Sequence, residues 1–125
     1  MYEVSRDHSF SAAHSLRGYG GKCEALHGHN WKVRVHVRAL ELDHLGMVVD
    51  FKELKEAMSQ VLGTLDHCHL NEVPPFDQQN PSAENLARYV AEAVNALIAN
   101  ERYSVHRCVV WESDGSRATF FIQPW

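Results

Sequence analysis

Three histidines near the start of the chain are the residues best suited to do chemistry. His27 and His29 lie two residues apart and lead into alternating apolar residues over 31–37, which is typical of a β-strand with one buried face. Because successive side chains of a strand point to opposite faces, both imidazoles share the buried face. His14 continues the parity of Ala12 in the preceding apolar segment, and a hairpin would bring it close. Three neutral imidazoles suit Zn²⁺ and leave its fourth position open, although a strand histidine is more often a surface or satisfied core residue.

Cys23 lies four residues before His27 on a glycine-bearing loop. A thiol held near a cation or a histidine ionises more readily than a free cysteine and becomes a base or a nucleophile. Two alternatives remain: a fourth zinc ligand, or an inert loop cysteine.

Other polar residues have a functional and a structural interpretation. The pair Asp66-His67 suits a proton relay, but adjacent side chains seldom face each other and a helix exit with a turn explains the pair equally well. Glu112 is either an inward carboxylate that needs a donor-rich ligand or an exposed strand-end residue. Ser82 and Glu84 are explained as capping residues of a helix.

The composition predicts one ordinary globular domain over residues 1–125. Apolar residues make up 45% and charged residues 22% of the 125 positions. The net charge of −4 argues against a nucleic-acid partner, and no apolar run approaches the roughly 20 residues of a membrane span. The three cysteines form no Cys-x-x-Cys pair, and the first residues do not resemble a signal peptide. We therefore expect a cytoplasmic location, without nucleic-acid or membrane partners.

Hydrophobic periodicity and turn residues predict the order β-β-α-α-β-β, which is an α+β fold. Asp50 is a plausible N-cap of the first helix, and Asp114-Gly115 is a strong hairpin signal between the last two strands. The predicted strands are 2–14, 27–40, 104–112 and 117–124, and the predicted helices are 50–63 and 82–100.

Six segments, taken in order, resemble those of one family. They are Phe10-Ser11-Ala12-Ala13-His14, Cys23-x-x-x-His27-Gly28-His29-Asn30, Gly46-Met47-Val48-Val49-Asp50-Phe51, Leu65-Asp66-His67-x-x-Leu70-Asn71, Asn80-Pro81-Ser82-x-Glu84-Asn85 and Trp111-Glu112. The chain resembles the 6-pyruvoyltetrahydropterin synthase superfamily, and more closely its bacterial branch, the 6-carboxy-5,6,7,8-tetrahydropterin synthases. The resemblance implies the T-fold, a four-stranded antiparallel sheet with two helices on one face.

The resemblance also implies a role for each candidate residue. His14, His27 and His29 match the zinc ligands, Cys23 the catalytic cysteine, and Asp66 with His67 the proton-transfer pair. Glu112 matches the carboxylate that anchors the pterin ring, and Ser82 and Glu84 fall in a segment that helps to hold it. Many members have threonine at the position of Ser82.

The activity implied is zinc-dependent conversion of 7,8-dihydroneopterin triphosphate to 6-carboxytetrahydropterin, acetaldehyde and triphosphate in queuosine biosynthesis. The resemblance also implies a homo-oligomer, with a hexamer as the first expectation and with active sites between subunits. Neighbouring subunits would then cover the sheet edges that a monomer exposes. The residues that hold the triphosphate stay undetermined. The basic residues nearest in sequence to the candidate site are Arg17, Lys22, Lys32 and Arg34.

Three other functions remain open. A 6-pyruvoyltetrahydropterin synthase would stop after triphosphate elimination, but it has a longer insert between the cysteine and His-Gly-His than the three residues that follow Cys23. A relative that makes hydroxymethyldihydropterin carries glutamate near the position of the cysteine, and Glu24 stands beside Cys23. A zinc- or pterin-binding protein without catalysis would need neither Cys23 nor Asp66-His67.

Overall fold

Two long strands, β1 (Tyr2–His14) and β2 (His27–Ala39), form the antiparallel hairpin that positions the three histidines. The computed structural model describes residues 1–21 and 25–122. The two strands pair along their whole length, from Tyr2 opposite Ala39 to His14 opposite His27. The predicted hairpin is therefore confirmed, and it brings His14 directly across from His27.

Among the described residues the sheet has five strands in the order β3-β1-β2-β4-β5. Strands β4 (Tyr103–Ser113) and β5 (Ser116–Phe121) form the antiparallel hairpin that Asp114-Gly115 predicts. The fifth strand, β3 (Cys68–His69), pairs in parallel with β1 at Ala12 and Ala13. The α+β class is confirmed, but the count of four strands is wrong, because two residues are too short to show a strand periodicity.

Two helices cover one face of this sheet. Helix α1 (Phe51–Gly63) begins after Asp50, whose carboxylate accepts a hydrogen bond from the Lys52 N–H at 2.9 Å. Helix α2 (Ala83–Ile98) packs on β4, β5 and α1. Alternate β2 residues from Trp31 to Val37 are fully buried beneath the helices. Together with the apolar faces of the two helices they form the core. None of the helices within the described ranges is long and apolar enough to cross a membrane.

A β-bulge in β4 decides which of its side chains face the helices. Val105 pairs with Val37 and Arg107 pairs with His36, so His106 is an extra residue without a partner in β2. The extra residue reverses the side-chain alternation after it. Cys108 and Val110 consequently face the core, and Glu112 follows on the same side.

Candidate metal centre

Four side chains converge at the open end of the β1–β2 hairpin. One ligand atom from each of His14, His27, His29 and Glu112 lies within 4.8 Å of the others. The Nε2 atoms of His14 and His27 are 3.0 Å apart. Nitrogen atoms bound to one tetrahedral zinc ion at about 2.0–2.1 Å are roughly 3.3 Å apart, so the spacing suits a single ion.

Two backbone carbonyl groups fix the tautomers of these imidazoles. Nδ1 of His14 donates a hydrogen bond to the Pro81 carbonyl oxygen at 2.7 Å, and Nδ1 of His27 donates to the Ala25 carbonyl oxygen at 2.7 Å. Because a carbonyl oxygen can only accept, the proton is on Nδ1 and the Nε2 lone pair is free to bind a metal. Sequence reasoning missed both carbonyl groups, since a backbone contact leaves no mark on residue type.

The surroundings of His14 disfavour its charged form. Burial lowers the pKa of His14 below its ordinary value, and the side chain is only 1% exposed. The edges of the His14 and His29 rings lie near the fully buried Trp31, with centroids 4.9 and 5.2 Å from it. Nε2 of His29 is buried without a hydrogen-bond partner among residues 1–21 and 25–122. A buried imidazole of lowered pKa, beside another with an unsatisfied ligand atom, fits a divalent metal such as zinc.

Glu112 lies inside this cluster. Its Oε1 atom is 3.1 Å from Nε2 of His29, and its side chain is 33% exposed. Of the two positions that the sequence allowed, the structure shows the inward one, on the same side as Cys108 and Val110. The parity of Glu112 with Cys108 and Val110 in the sequence indicated this side, and the His106 bulge explains why that parity differs from the parity of Val105.

Asp66 and His67 form a second constellation. Oδ2 of Asp66 is 3.0 Å from Nδ1 of His67. Adjacent side chains meet here because His67 has a φ of 57°, a left-handed conformation that is uncommon outside glycine and often found at functional sites. Oδ1 of Asp66 accepts a hydrogen bond from the Ser11 N–H at 2.9 Å. That bond, together with the one from His67, holds the pKa of Asp66 below its usual value.

Among the described residues, this pair does not belong to the four convergent groups of the metal cluster. Ser11, which binds Asp66, is three residues before His14, a distance of about 10 Å along an extended strand. The His67 side chain is 82% exposed, and it lines an open groove of about 530 Å³ together with Asn30, on the sheet face away from the helices. The groove reaches His29 at one end. A pair placed in this way offers its free nitrogen to solvent or to another molecule.

Three predicted site residues remain. Ser82 is the N-cap of α2, and its Oγ accepts a hydrogen bond from the Asn85 N–H at 3.1 Å. It directly follows Pro81, whose carbonyl group binds His14. Glu84 is exposed in the first turn of the same helix. Cys23 lies outside the described residues.

Two asparagines hold in place the chain that directly follows His14. The Asn71 side chain accepts from the Ser15 N–H at 2.9 Å and donates to the Ser15 carbonyl oxygen at 2.9 Å. Asn80 makes the same two contacts with Arg17, at 2.8 and 3.1 Å. We call these four hydrogen bonds the asparagine clamp. It joins the end of β1 to the segment that carries Pro81, and sequence reasoning gave neither asparagine a role.

The basic residues near the site in sequence already have partners. The Arg17 guanidinium donates to backbone carbonyl groups, the shortest bond being 2.6 Å to Phe76. Lys32 and Arg34 lie on the sheet face away from the helices, 3.6 and 2.6 Å from the carboxylate of Asp7. Lys22 lies outside the described residues. None of the three described side chains forms a hydrogen bond or an ion pair with the described residues of the metal cluster.

Comparison with known proteins identifies the family. The family model described as 6-pyruvoyl tetrahydropterin synthase matches residues 3–123. The chain belongs to this family. Two relatives named 6-carboxy-5,6,7,8-tetrahydropterin synthase are similar over most of their length. The Synechocystis protein is 35% identical over 97% of this chain and 94% of its own, and the Haemophilus influenzae protein is 30% identical over 93% and 96%.

Solved structures of the family share the fold. The 6-pyruvoyl tetrahydropterin synthase of Caenorhabditis elegans has a TM-score of 0.88 and 32% identity, covering 98% of this chain and 96% of its own. The Plasmodium falciparum protein of the same name, at 23% identity and a TM-score of 0.77, supports the fold alone. The T-fold that the sequence resemblance implies is therefore confirmed, with the short β3 added to the sheet.

Proposed function

We propose that this family member is a zinc-dependent 6-carboxy-5,6,7,8-tetrahydropterin synthase of queuosine biosynthesis, acting in the cytoplasm. It would convert 7,8-dihydroneopterin triphosphate to 6-carboxytetrahydropterin, acetaldehyde and triphosphate. The observation that carries the proposal is the convergence of His14, His27 and His29, the first two with their Nε2 lone pairs free. The two similar 6-carboxytetrahydropterin synthases support the choice of product.

The protein's own groups would divide the chemistry as follows. A bound zinc ion supplies a Lewis acid that polarises oxygen groups on the substrate. The Glu112 carboxylate accepts the ring and amino N–H groups of the pterin, beside the segment of Ser82 and Glu84. Cys23, as a thiolate, removes a proton from the substrate side chain, and the Asp66-His67 pair exchanges protons on the opposite side. Loss of triphosphate, internal redox rearrangement and carbon–carbon cleavage then require no external redox cofactor.

We also propose that a neighbouring subunit supplies the proton-transfer pair. Within one chain, Asp66 binds Ser11, which lies about 10 Å along β1 before His14, and His67 opens onto the other sheet face. An assembly, with a hexamer as the first expectation, would bring the pair of one subunit to the metal centre of another.

Mixing two inactive variants tests this arrangement. His29→Ala removes a metal ligand and His67→Ala removes the relay, so each homo-oligomer should lack turnover. After joint unfolding and refolding, hybrid oligomers should recover part of the activity, because some sites combine an intact metal centre with an intact pair. Mixtures that stay inactive, although mass spectrometry shows hybrids, would place the pair and the metal centre in one subunit.

Product analysis tests the function itself. Zinc-loaded protein is mixed with 7,8-dihydroneopterin triphosphate, and the products are identified by mass spectrometry. We expect 6-carboxytetrahydropterin and an equal amount of acetaldehyde. A 6-pyruvoyl product without acetaldehyde would instead support the activity after which the similar C. elegans protein is named. Unchanged substrate with zinc bound would leave a binding protein as the remaining function.

A further inference from the structure

The Glu112 carboxylate is placed where a metal ligand would be, although its proposed role is to anchor the substrate. Its Oε1 atom belongs to the same convergent group as the three histidines, whose ligand atoms all lie within 4.8 Å of one another. A carboxylate that served only the pterin ring would have no reason to approach the imidazoles so closely.

The contact between Glu112 and His29 does not have the geometry of a hydrogen bond. Oε1 lies 3.1 Å from Nε2, yet that nitrogen has no aligned hydrogen-bond partner among the described residues. The hydrogen-bonded imidazoles nearby use Nδ1, at 2.7 Å from a carbonyl oxygen. A ring nitrogen and a carboxylate oxygen at this separation, without an aligned hydrogen bond between them, are suited to bind one cation together. The spacing of about 3 Å is that of two ligands of one metal ion.

Local structure leaves room for the Glu112 side chain to adopt a second rotamer. Trp111 pairs with Arg117 and Ser113 with Ser116, so Glu112 lies at an irregularity where it has no partner in β5. Such bulges often redirect a side chain beside an active site. The Glu112 side chain is also 33% exposed, which leaves space for a second rotamer.

We propose that Glu112 is a fourth, exchangeable ligand of the metal centre, and that the pterin ring draws it away. The neighbouring ring N–H and amino group of a pterin present two parallel donors, which match the two oxygens of one carboxylate. Glu112 therefore binds the metal ion at rest and the ring in the complex. Its departure frees the fourth position only when the correct ring is present. This inference rests on the proposed function and adds the order in which one residue does two tasks.

The first experiment measures zinc affinity alone. Glu112→Gln keeps the size of the side chain but removes the anionic ligand, and Glu56→Gln changes an exposed glutamate of α1 as the matched control. Competition with a chromogenic chelator should show zinc bound at least about 10-fold more weakly by E112Q, the lower end of the effect of removing even an outer-shell partner. E56Q should match the wild type. Equal zinc affinity in E112Q and the wild type would overturn the proposal.

The second experiment tests the exchange with cobalt(II) in place of zinc. Unsubstituted pterin is the probe, because it has the ring donors but no side-chain hydroxyl groups. Its binding is followed by fluorescence and the metal geometry by the visible cobalt bands. In the wild type the bands should change in proportion to bound pterin, while in E112Q they should differ from the start and stay constant.

The outcomes separate this inference from the function on which it rests. Pterin that binds to the wild type without changing the cobalt bands would overturn the exchange and leave the synthase proposal intact. No pterin binding at all would overturn both.

Discussion

At the scale of single residues, the candidate site depends on which nitrogen of each imidazole carries the proton. The Pro81 and Ala25 carbonyl groups hold the protons of His14 and His27 on Nδ1. The convergence of the three histidines could be predicted from the sequence, because strand parity places them on one face of the sheet. Their tautomers could not, because they depend on main-chain atoms of other segments.

Removing one imidazole should weaken metal binding. In His27→Ala we expect substoichiometric zinc after purification, because only two imidazoles and the Glu112 carboxylate of the four convergent groups remain. Inductively coupled plasma mass spectrometry of the purified protein measures the metal content. His8→Ala, a change in the same hairpin but outside the cluster, should retain zinc. Full zinc content in the His27 variant would exclude this residue as a ligand.

His67 can be changed without disturbing its backbone. His67→Asn removes the titratable ring and keeps a residue type that tolerates the left-handed conformation. Zinc content and melting temperature should be unchanged, while kcat should fall about 100-fold or more, as expected for loss of a general acid or base. His44→Asn, at an exposed position, is the control for histidine loss. Wild-type turnover in the His67 variant would remove the residue from the mechanism.

At the scale of elements, each strand and helix is positioned by contacts of different range. Local signals sufficed for the N-caps Asp50 and Ser82 and for the turn between β4 and β5, because each depends on a few adjacent residues. The two-residue β3 could not be predicted, because the strand with which it pairs, β1, lies more than fifty residues earlier. The asparagine clamp escaped prediction for the same reason.

The asparagine clamp should influence zinc binding through His14. Asn80→Ala removes two hydrogen bonds to Arg17 and loosens the segment whose Pro81 carbonyl group orients His14. We expect a loss of about 1–3 kcal/mol in the free energy of unfolding and roughly 10-fold weaker zinc binding. Urea unfolding and chelator competition measure the two effects.

Asn100→Ala provides the matched control for the clamp. Asn100 accepts hydrogen bonds from the N–H groups of Arg102 and Tyr103, in a turn far from the cluster in sequence. A similar loss of stability is expected there, with unchanged zinc affinity. If both variants weaken zinc binding equally, the clamp acts only through global stability.

At the scale of the whole molecule, the two faces of the sheet differ in kind. The face beneath the helices is apolar, whereas the opposite face carries a charged network around Glu3. This carboxylate accepts hydrogen bonds from Arg38 at 2.6 Å and Arg107 at 3.0 Å, and Nδ1 of the buried His36 side chain lies 3.2 Å away. Although burial alone would raise it, these contacts lower the pKa of Glu3 to about 2.

This network should make the free energy of unfolding depend on pH in the acidic range. Because the folded-state pKa of about 2 lies below the ordinary value of 4.5, Glu3 stabilises the fold above pH 4.5 and progressively less between 4.5 and 2. Glu3→Gln should therefore lose about 1–3 kcal/mol at pH 7, and its difference from the wild type should shrink as the pH falls.

Urea unfolding from pH 7 to pH 3 measures this dependence. A chelator is present throughout, so that loss of metal does not contribute. Glu56→Gln should track the wild type at every pH. A constant difference between the Glu3 variant and the wild type would show that its carboxylate does not titrate with folding.

The single extra residue at His106 has a consequence for how β4 can vary. Deletion of His106 alone would leave every remaining pair in register, because Val105 already pairs with Val37 and Arg107 with His36, so Glu112 would stay beside the histidines. Deletion of a paired residue such as Val109 would have a different result. Either Glu112 would turn to the other face of the sheet, or the bulge would be lost and Arg107 would come under the helices. The length of β4 therefore constrains the site at its paired positions and not at the bulge.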